Sequence, residues 1–179
     1  MGLDKLVNLA MEVVPEGQKN AFVAAQKIDL NLRAKRARMA VMGASAAAAT
    51  AAATPIPYVE VALIIPAEVA MLAGISVIFG LNIDKAFLGT LVTSSIAGSV
   101  GTFSRKAIVA GLLKLIPGGG TVAGGMLSAT MAAAFTTMFG EAYIAALKYL
   151  LHDDINADIA PQKIAEAFKR ELRQRRIDL

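Results

Sequence analysis

The chain has 179 residues, of which 56% are hydrophobic and 18% are charged, and its formal net charge is +4. That length suffices for one domain with a substantial core, although the composition is more apolar than that of most soluble domains. The absence of cysteine and the single histidine exclude disulfide bonds, cysteine nucleophiles and metal sites rich in cysteine or histidine.

The first 38 residues are expected to form two amphipathic helices. Apolar residues recur at helical spacing from Leu3 to Val14, and Pro15 and Gly17 then break the pattern. Charges within this stretch exclude a secretory signal peptide, so we expect synthesis in the cytoplasm.

The second helical pattern starts at Gln18, and its polar face ends in a basic cluster: Arg33, Lys35, Arg36 and Arg38. We expect this cluster to face anionic lipid headgroups, with a solvated helix face as the alternative.

Residues 39–151 are the most unusual part of the sequence, because very little charge falls within them. The charged residues of this segment are Glu60, Glu68, Asp84, Lys85, Arg105, Lys106, Lys114, Glu141 and Lys148. A soluble helical bundle needs a polar outer face on every helix, and that face is nearly missing here. The helices of this segment therefore face either one another or lipid.

The first predicted hairpin turns at Pro55 and Pro57. A helix over residues 39–54 continues the preceding helix, and an apolar helix over residues 59–80 follows the turn. This second helix carries the buried polar candidates of the chain: Glu68 and Glu60. Their spacing separates them by about 12 Å along the helix axis, which excludes a tight carboxylate pair. Glu68 lies among aliphatic residues, so we interpret it either as a polar contact or proton site of the bundle or as part of an interhelical hydrogen bond.

The second predicted hairpin turns at Pro117 and Gly118. A helix over residues 85–104 precedes this turn, and a long helix over residues 121–151 follows it. The candidate N-caps of the first of these helices are Asn82 and Asp84. Small residues whose spacing allows close helix packing are Gly98, Gly101, Gly120 and Gly124. In a chain this rich in alanine and glycine, chance spacing is the alternative.

A tail over residues 152–179 is expected to form a solvated amphipathic helix that starts at Pro161. Its apolar face consists of Ile164, Phe168 and Leu172. The sequence therefore predicts an all-α fold with two apolar hairpins in an Ala- and Gly-rich bundle over residues 39–151. Amphipathic helices flank this bundle over residues 1–38 and 152–179.

Membrane insertion is possible by length but not strongly favoured by composition. Several stretches approach the roughly 20 apolar residues that a bilayer core of about 30 Å requires. Residues 39–54, however, are mainly alanine and other small residues, which insert weakly. Four crossings would also place Arg105 and Lys106 opposite the basic cluster, against the positive-inside tendency. Two arrangements remain: a partly inserted helical hairpin, or a packed bundle that docks on a surface.

Motifs for phosphate binding, catalysis and nucleic-acid binding are weak. Residues 118–120 are glycines before a helix, but the sequence fits neither phosphate-loop template, so we interpret them as a turn. The serines lie mostly on apolar helices and His152 lies at a helix end, which leaves no set of nucleophile, base and acid. The basic residues of the tail are balanced by acids. We therefore expect no enzyme activity, no cofactor, no metal and no nucleic-acid partner.

The second turn and the helix after it resemble a known family. Residues 112–125 (LLKLIPGGGTVAGG) and 135–144 (FTTMFGEAYI) resemble the hydrophobic helical domain found carboxy-terminal to Era-like GTPases, the YcjF-type domain of unknown function. Residues 53–57 (ATPIP) and 79–85 (FGLNIDK) are similar to paired landmarks of that domain. Residues 15–27 (PEGQKNAFVAAQK) are similar to the segment that links such GTPase domains to the helical part.

The resemblance implies the membrane-facing or effector part of a GTPase system. This sequence lacks the GTPase half, because it has no Gly-x-x-x-x-Gly-Lys-Ser/Thr loop and no guanine-reading Asn-Lys-x-Asp. We expect a non-enzymatic module that associates with membrane lipid and with copies of itself and works with a GTPase, at the cytoplasmic face of a membrane or integral to it. The alternatives are a soluble protein-interaction or oligomerisation module in the cytoplasm, and a pore or transport protein in which Glu68 lines a water-filled path.

Overall fold

The structure is a computed structural model that describes residues 3–19, 30–53, 59–97, 119–154 and 157–177. The regular structure of these residues is entirely helical, which confirms the predicted all-α class. Their α-helices are α1 (Leu3–Val13), α2 (Leu30–Ala53), α3 (Val59–Ile78), α4 (Lys85–Ala97), α5 (Gly119–Leu150) and α6 (Pro161–Ile177), and a short 3-10 helix covers Glu16–Gln18.

A glycine ends α3. Gly80 has a φ of 79°, in the left-handed region that glycine adopts without strain. Its N–H donates to the carbonyl of Val77, and the N–H of Leu81 donates to the carbonyl of Ser76, both at 2.9 Å. These two bonds satisfy carbonyls at the end of the helix in the Schellman arrangement. The helix predicted over residues 59–80 therefore ends within two residues of the expected position.

An aspartate begins α4. Asp84 Oδ1 accepts hydrogen bonds from the N–H groups of Ala86 at 2.7 Å and Phe87 at 3.2 Å. These groups have no acceptor within the helix, so the aspartate satisfies two donors at once. Of the two predicted N-cap residues, Asp84 is the one that caps the helix.

The longest helices, α2 and α5, pack antiparallel. Arg38 Nε donates to Glu141 Oε1 at 3.0 Å. About two turns further along α2, the hydroxyl oxygens of Ser45 and Thr137 lie 2.8 Å apart. Residue numbers thus rise along α2 while they fall along α5. The α2 helix runs through residue 39 to Ala53 without a break, as the sequence predicts.

The α3 helix packs against both long helices and runs parallel to α5. Thr136 Oγ1 donates to Glu68 Oε1 at 2.6 Å, and the hydroxyls of Ser76 and Tyr143 lie 2.9 Å apart further along the same pair. The α4 helix packs on α3. Because α2 is antiparallel to α5, the first residues of α2 and the last residues of α3 lie at the same end of the bundle.

The main core surrounds the carboxy-terminal half of α5, and α6 closes it. Phe168 of α6 packs edge-on against Phe139 and Tyr143 of α5, with ring centroids 4.9 and 5.7 Å away. Ile164 and Leu172 are also buried, so the predicted apolar face of α6 is confirmed. Aromatic pairs in this geometry stabilise a core beyond the area that they bury.

The helices α2, α3 and α5 pack closely together at Gly140. A Cβ atom at this position would lie 2.5 Å from Val41 Cγ2 on α2 and 3.2 Å from Met71 Sδ on α3. The first distance is shorter than real carbon contacts allow, so only glycine fits. Gly140 is not among the glycines that the sequence predicts to pack helices together.

Several predicted positions lie outside the described residues. They are the turn residues Pro55, Pro57, Pro117 and Gly118 and the packing residues Gly98 and Gly101. Gly120 and Gly124 belong to the first turns of α5, but their surroundings and the side chain of Glu60 are likewise outside the described part. The arrangement of two hairpins therefore stays a prediction.

Candidate functional site

The charged residues of the two longest helices end at positions that lie side by side in the bundle. Arg38 is the last charged residue of α2, and Glu141 is the first of α5. The two are paired, since Arg38 Nε lies 3.0 and 3.2 Å from the carboxylate oxygens of Glu141. Beyond this ion pair, residues 39–53 of α2 and 119–140 of α5 contain no charged side chain. We call these two ranges the uncharged half.

The uncharged half presents apolar and small side chains to solvent. Its exposed residues are Met39, Met42, Gly43, Ala46, Ala47, Thr50, Ala51 and Ala53 on α2, and Met126, Thr130, Ala134 and Thr137 on α5. Met42 is 70% exposed and Met126 is 68% exposed. The outer face of a water-soluble bundle carries charge, whereas an extended surface without charge is typical of a docking site.

The α1 helix presents a second apolar surface. Leu6, Leu9 and Val13 follow the spacing of one helix face, yet they are 63%, 61% and 83% exposed. Met11 of the same helix packs against the core. The amphipathic helix expected from the sequence is therefore present, and Leu6, Leu9 and Val13 are uncovered in the structure.

Arg33 is buried, which corrects the prediction that it faces lipid headgroups. The residue is 2% exposed, and its Nη1 donates to the carbonyl oxygen of Phe79 at 2.6 Å. That carbonyl lies at the end of α3, where backbone acceptors lack helical partners. Burial lowers the pKa of Arg33. Helical spacing places Arg33 beside the buried residues Ala34 and Ala37, on the face of α2 that packs inward, so this member of the basic cluster is a packing residue.

The other members of the basic cluster remain nearer the surface. Arg36 Nη2 donates to Glu16 Oε1 at 2.5 Å, and Lys19 Nζ lies 2.7 Å from the other oxygen of the same carboxylate. Hydrogen bonds from Lys19 and Arg36 lower the pKa of Glu16 to about 2. Arg38 belongs to the ion pair at the boundary, and Lys35 is exposed. Because acids already pair with Arg36 and Arg38, the attraction of this cluster for anionic lipid is smaller than the sequence suggests.

Glu68 is buried between helices, as its aliphatic neighbours predict. It is 2% exposed, and its Oε1 accepts a hydrogen bond from Thr136 Oγ1 at 2.6 Å. The other carboxylate oxygen, Oε2, is also buried and has no hydrogen-bond partner. Burial raises the pKa of Glu68 to about 7, and the bond from Thr136 opposes that rise. The carboxyl group is therefore poised to gain or lose a proton near neutral pH.

Two further pairs of hydroxyl groups connect α5 to its neighbours. Ser45 of α2 faces Thr137, and Ser76 of α3 faces Tyr143, whose hydroxyl pKa burial raises to about 12. Ser76 also donates to the carbonyl of Leu72 within its own helix. Sequence reasoning overlooked these pairs, because a hydroxyl on an apolar helix indicates a buried hydrogen bond but does not identify its partner.

The described residues offer no metal site and no membrane-crossing helix. No group of three or more His, Asp or Glu side chains in this part of the chain could hold a metal ion. None of its helices combines the length and the apolar character needed to cross a membrane.

Comparison with protein-family models, with curated proteins and with solved structures finds no match to this chain. The resemblance to the YcjF-type domain therefore stays a prediction from the residues quoted above.

Proposed function

We propose that this chain is a non-enzymatic helical module that associates with membrane lipid through the uncharged half of its bundle. One observation carries the proposal: beyond the Arg38–Glu141 ion pair, the exposed surfaces of α2 and α5 carry no charge and present Met42 and Met126 to solvent. Such a surface loses little when it leaves water, since it has no charge to desolvate.

The length of the α2 part of the uncharged half favours shallow insertion. Residues 39–53 of α2 extend about 22 Å at 1.5 Å per residue, which is less than the hydrocarbon core of about 30 Å. Alanine and threonine also contribute little insertion energy. We therefore propose that the bundle enters one leaflet and that the Arg38–Glu141 ion pair lies near the headgroups.

The proposal also assigns partners and an architecture. The contact between α2 and α3, which flank residues 54–58, supports the first of two apolar hairpins. The resemblance to the hydrophobic domain of Era-like GTPases supports a GTPase partner and a position at the cytoplasmic face of a membrane. The exposed small residues of α2 support association between copies of the chain. Neither partner is needed for the lipid association itself.

A flotation assay with liposomes tests the lipid surface. Met42→Lys and Met126→Lys each place an ammonium group in the uncharged half, where lysine costs about 3 kcal/mol at the centre of a bilayer and less near its edge. We expect each variant to reduce partitioning into phosphatidylcholine vesicles by about tenfold. Both residues are exposed, so the fold should persist, and circular dichroism checks that.

Val77→Lys is the matched control for this assay. Val77 is 54% exposed on α3, near the end at which Arg33 binds the Phe79 carbonyl, far from the uncharged half. The substitution adds the same charge in the same way, and we expect wild-type partitioning. Equal losses in all three variants, or protein that stays in the aqueous fraction without any substitution, would contradict the proposal.

One observation favours a second candidate, a soluble oligomerisation module. Gly43 is exposed on α2, and a Cβ atom there would meet no atom within 4 Å, so a second helix could approach closely beside Ala46 and Ala47. Light scattering without detergent separates the two functions. A discrete, stable oligomer that ignores vesicles and dissociates in Met42→Lys would favour this candidate.

A further inference from the structure

Glu68 is a buried acid that the proposed membrane surface does not use. It lies on α3 at the interface with α5, where Thr136 Oγ1 holds Oε1 at 2.6 Å and Oε2 is buried without a partner. A carboxylate in this position has lost its hydrogen bonds to water, and only one of its two oxygens accepts a hydrogen bond from the protein instead. The neutral acid avoids most of that cost, because burial penalises mainly the charged form.

The described helices packed against α3 place no cation near this carboxyl. Residues 39–53 of α2, 86–97 of α4 and 119–140 of α5 contain no charged residue. Arg38 and Glu141, which border the uncharged ranges of α2 and α5, are paired with each other, and Lys85 is exposed at the first residue of α4. An ionised Glu68 would therefore have only the Thr136 hydroxyl as a stabilising contact in this part of the chain.

We propose that Glu68 is a proton-dependent latch between α3 and α5. The protonated carboxyl keeps the two helices closed around the Thr136 hydrogen bond, and loss of the proton loosens α3 from α5. The carboxylate then reaches water only by separating the helices, so deprotonation and opening are coupled. The latch operates in the protein alone and does not depend on the lipid proposal.

The direction of the pH dependence follows from the raised pKa. The pKa of Glu68 is about 7 in the closed bundle, and its ordinary value is 4.5. Below about pH 4.5 the carboxyl is protonated in both the closed and the opened state, and the closed state then has its full stability. This advantage is lost as the pH rises through about 7. Linkage then predicts that the opened population increases about tenfold between pH 6 and pH 8.

Hydrogen–deuterium exchange of the wild-type protein measures this opening. After correction for the intrinsic pH dependence of exchange, we expect backbone amides of α3 on both sides of Glu68 to exchange about tenfold faster at pH 8 than at pH 6. Glu68→Gln has the same shape and cannot ionise, so its corrected rates should be the same at both pH values. Glu166→Gln is the matched control, since it removes an exposed acid of α6 and should keep the wild-type response.

Two further measurements keep the proposal testable if Glu68→Gln fails to fold. The ¹³C-carboxyl resonance of Glu68 in the wild type should titrate near neutral pH. Thr136→Val removes the hydrogen bond that favours the ionised form, so this resonance should titrate at a higher pH than in the wild type. A carboxyl that titrates near 4.5, or equal pH responses in wild type and Glu68→Gln, would overturn the latch.

Discussion

For single residues, the sequence can indicate whether a side chain is buried, but it does not identify the hydrogen-bond partner. Aliphatic neighbours correctly indicate that Glu68 is buried, but its bond to Thr136 depends on the register between α3 and α5, which no local pattern encodes. Arg33 is the opposite case, because membership of a run of cations suggested exposure while helical spacing placed it inward. At the residue scale, a side chain's face on the helix decides more than the charge of its sequence neighbours.

Gly140→Ala tests a close packing contact of the bundle. The new Cβ atom would lie 2.5 Å from Val41 Cγ2, and valine is too stiff to move aside cheaply. We expect a loss of about 1–3 kcal/mol in the free energy of unfolding, measured by urea denaturation. Gly43→Ala is the control, because a Cβ atom there meets nothing within 4 Å and alanine favours helix by about 0.5–1 kcal/mol.

A double variant checks that the cost arises from this contact. Val41→Ala removes the atoms that the new methyl group meets, so Gly140→Ala should cost less in that background than in the wild type. If Gly140→Ala is as stable as the wild type, α2, α3 and α5 do not approach as closely as the structure shows.

Helices are the scale at which the sequence predicted most. Periodicity and capping residues located α1, α3, α6 and the first residue of α4 to within a few residues, because apolar spacing and helix ends are local properties. The pairing of α2 with α5 could not be predicted, since residues 39–53 of α2 and 119–140 of α5 carry no charge on any face and show no distinct packing stripe. The apolar face of α1 could be predicted from the spacing of its residues, but how α1 packs against the bundle could not.

Leu6→Ser combined with Leu9→Ser tests whether the α1 face contributes to lipid association. Both side chains are more than 60% exposed, so the fold should not change. Burying a leucine in the membrane interface is worth about 1.5 kcal/mol or more. We therefore expect vesicle partitioning to fall by tenfold or more in a sedimentation assay. Glu12→Ser, on an exposed position of the same helix, should partition like the wild type, and equal effects of both changes would argue against the α1 face.

At the scale of the whole molecule, the Arg38–Glu141 ion pair divides the described parts of α2 and α5 into a charged half and the uncharged half. The sequence shows where charge stops on each long helix, at Arg38 and at Glu141. It does not show that the two positions coincide in space, because that depends on the antiparallel register of α2 and α5. The division is the physical basis of the proposed lipid association, since one half can leave water at low cost while the other half cannot.

Site-directed spin labelling tests this division most directly. The chain has no cysteine, so Met126→Cys and Val77→Cys each give a single labelling site, one in the uncharged half and one at the opposite end. On vesicles, we expect the label at residue 126 to become accessible to oxygen and protected from a water-soluble nickel chelate, while the label at residue 77 stays accessible to the chelate. If both labels on vesicle-bound protein remain in water, or if both enter lipid, the uncharged half is not the surface that meets the membrane.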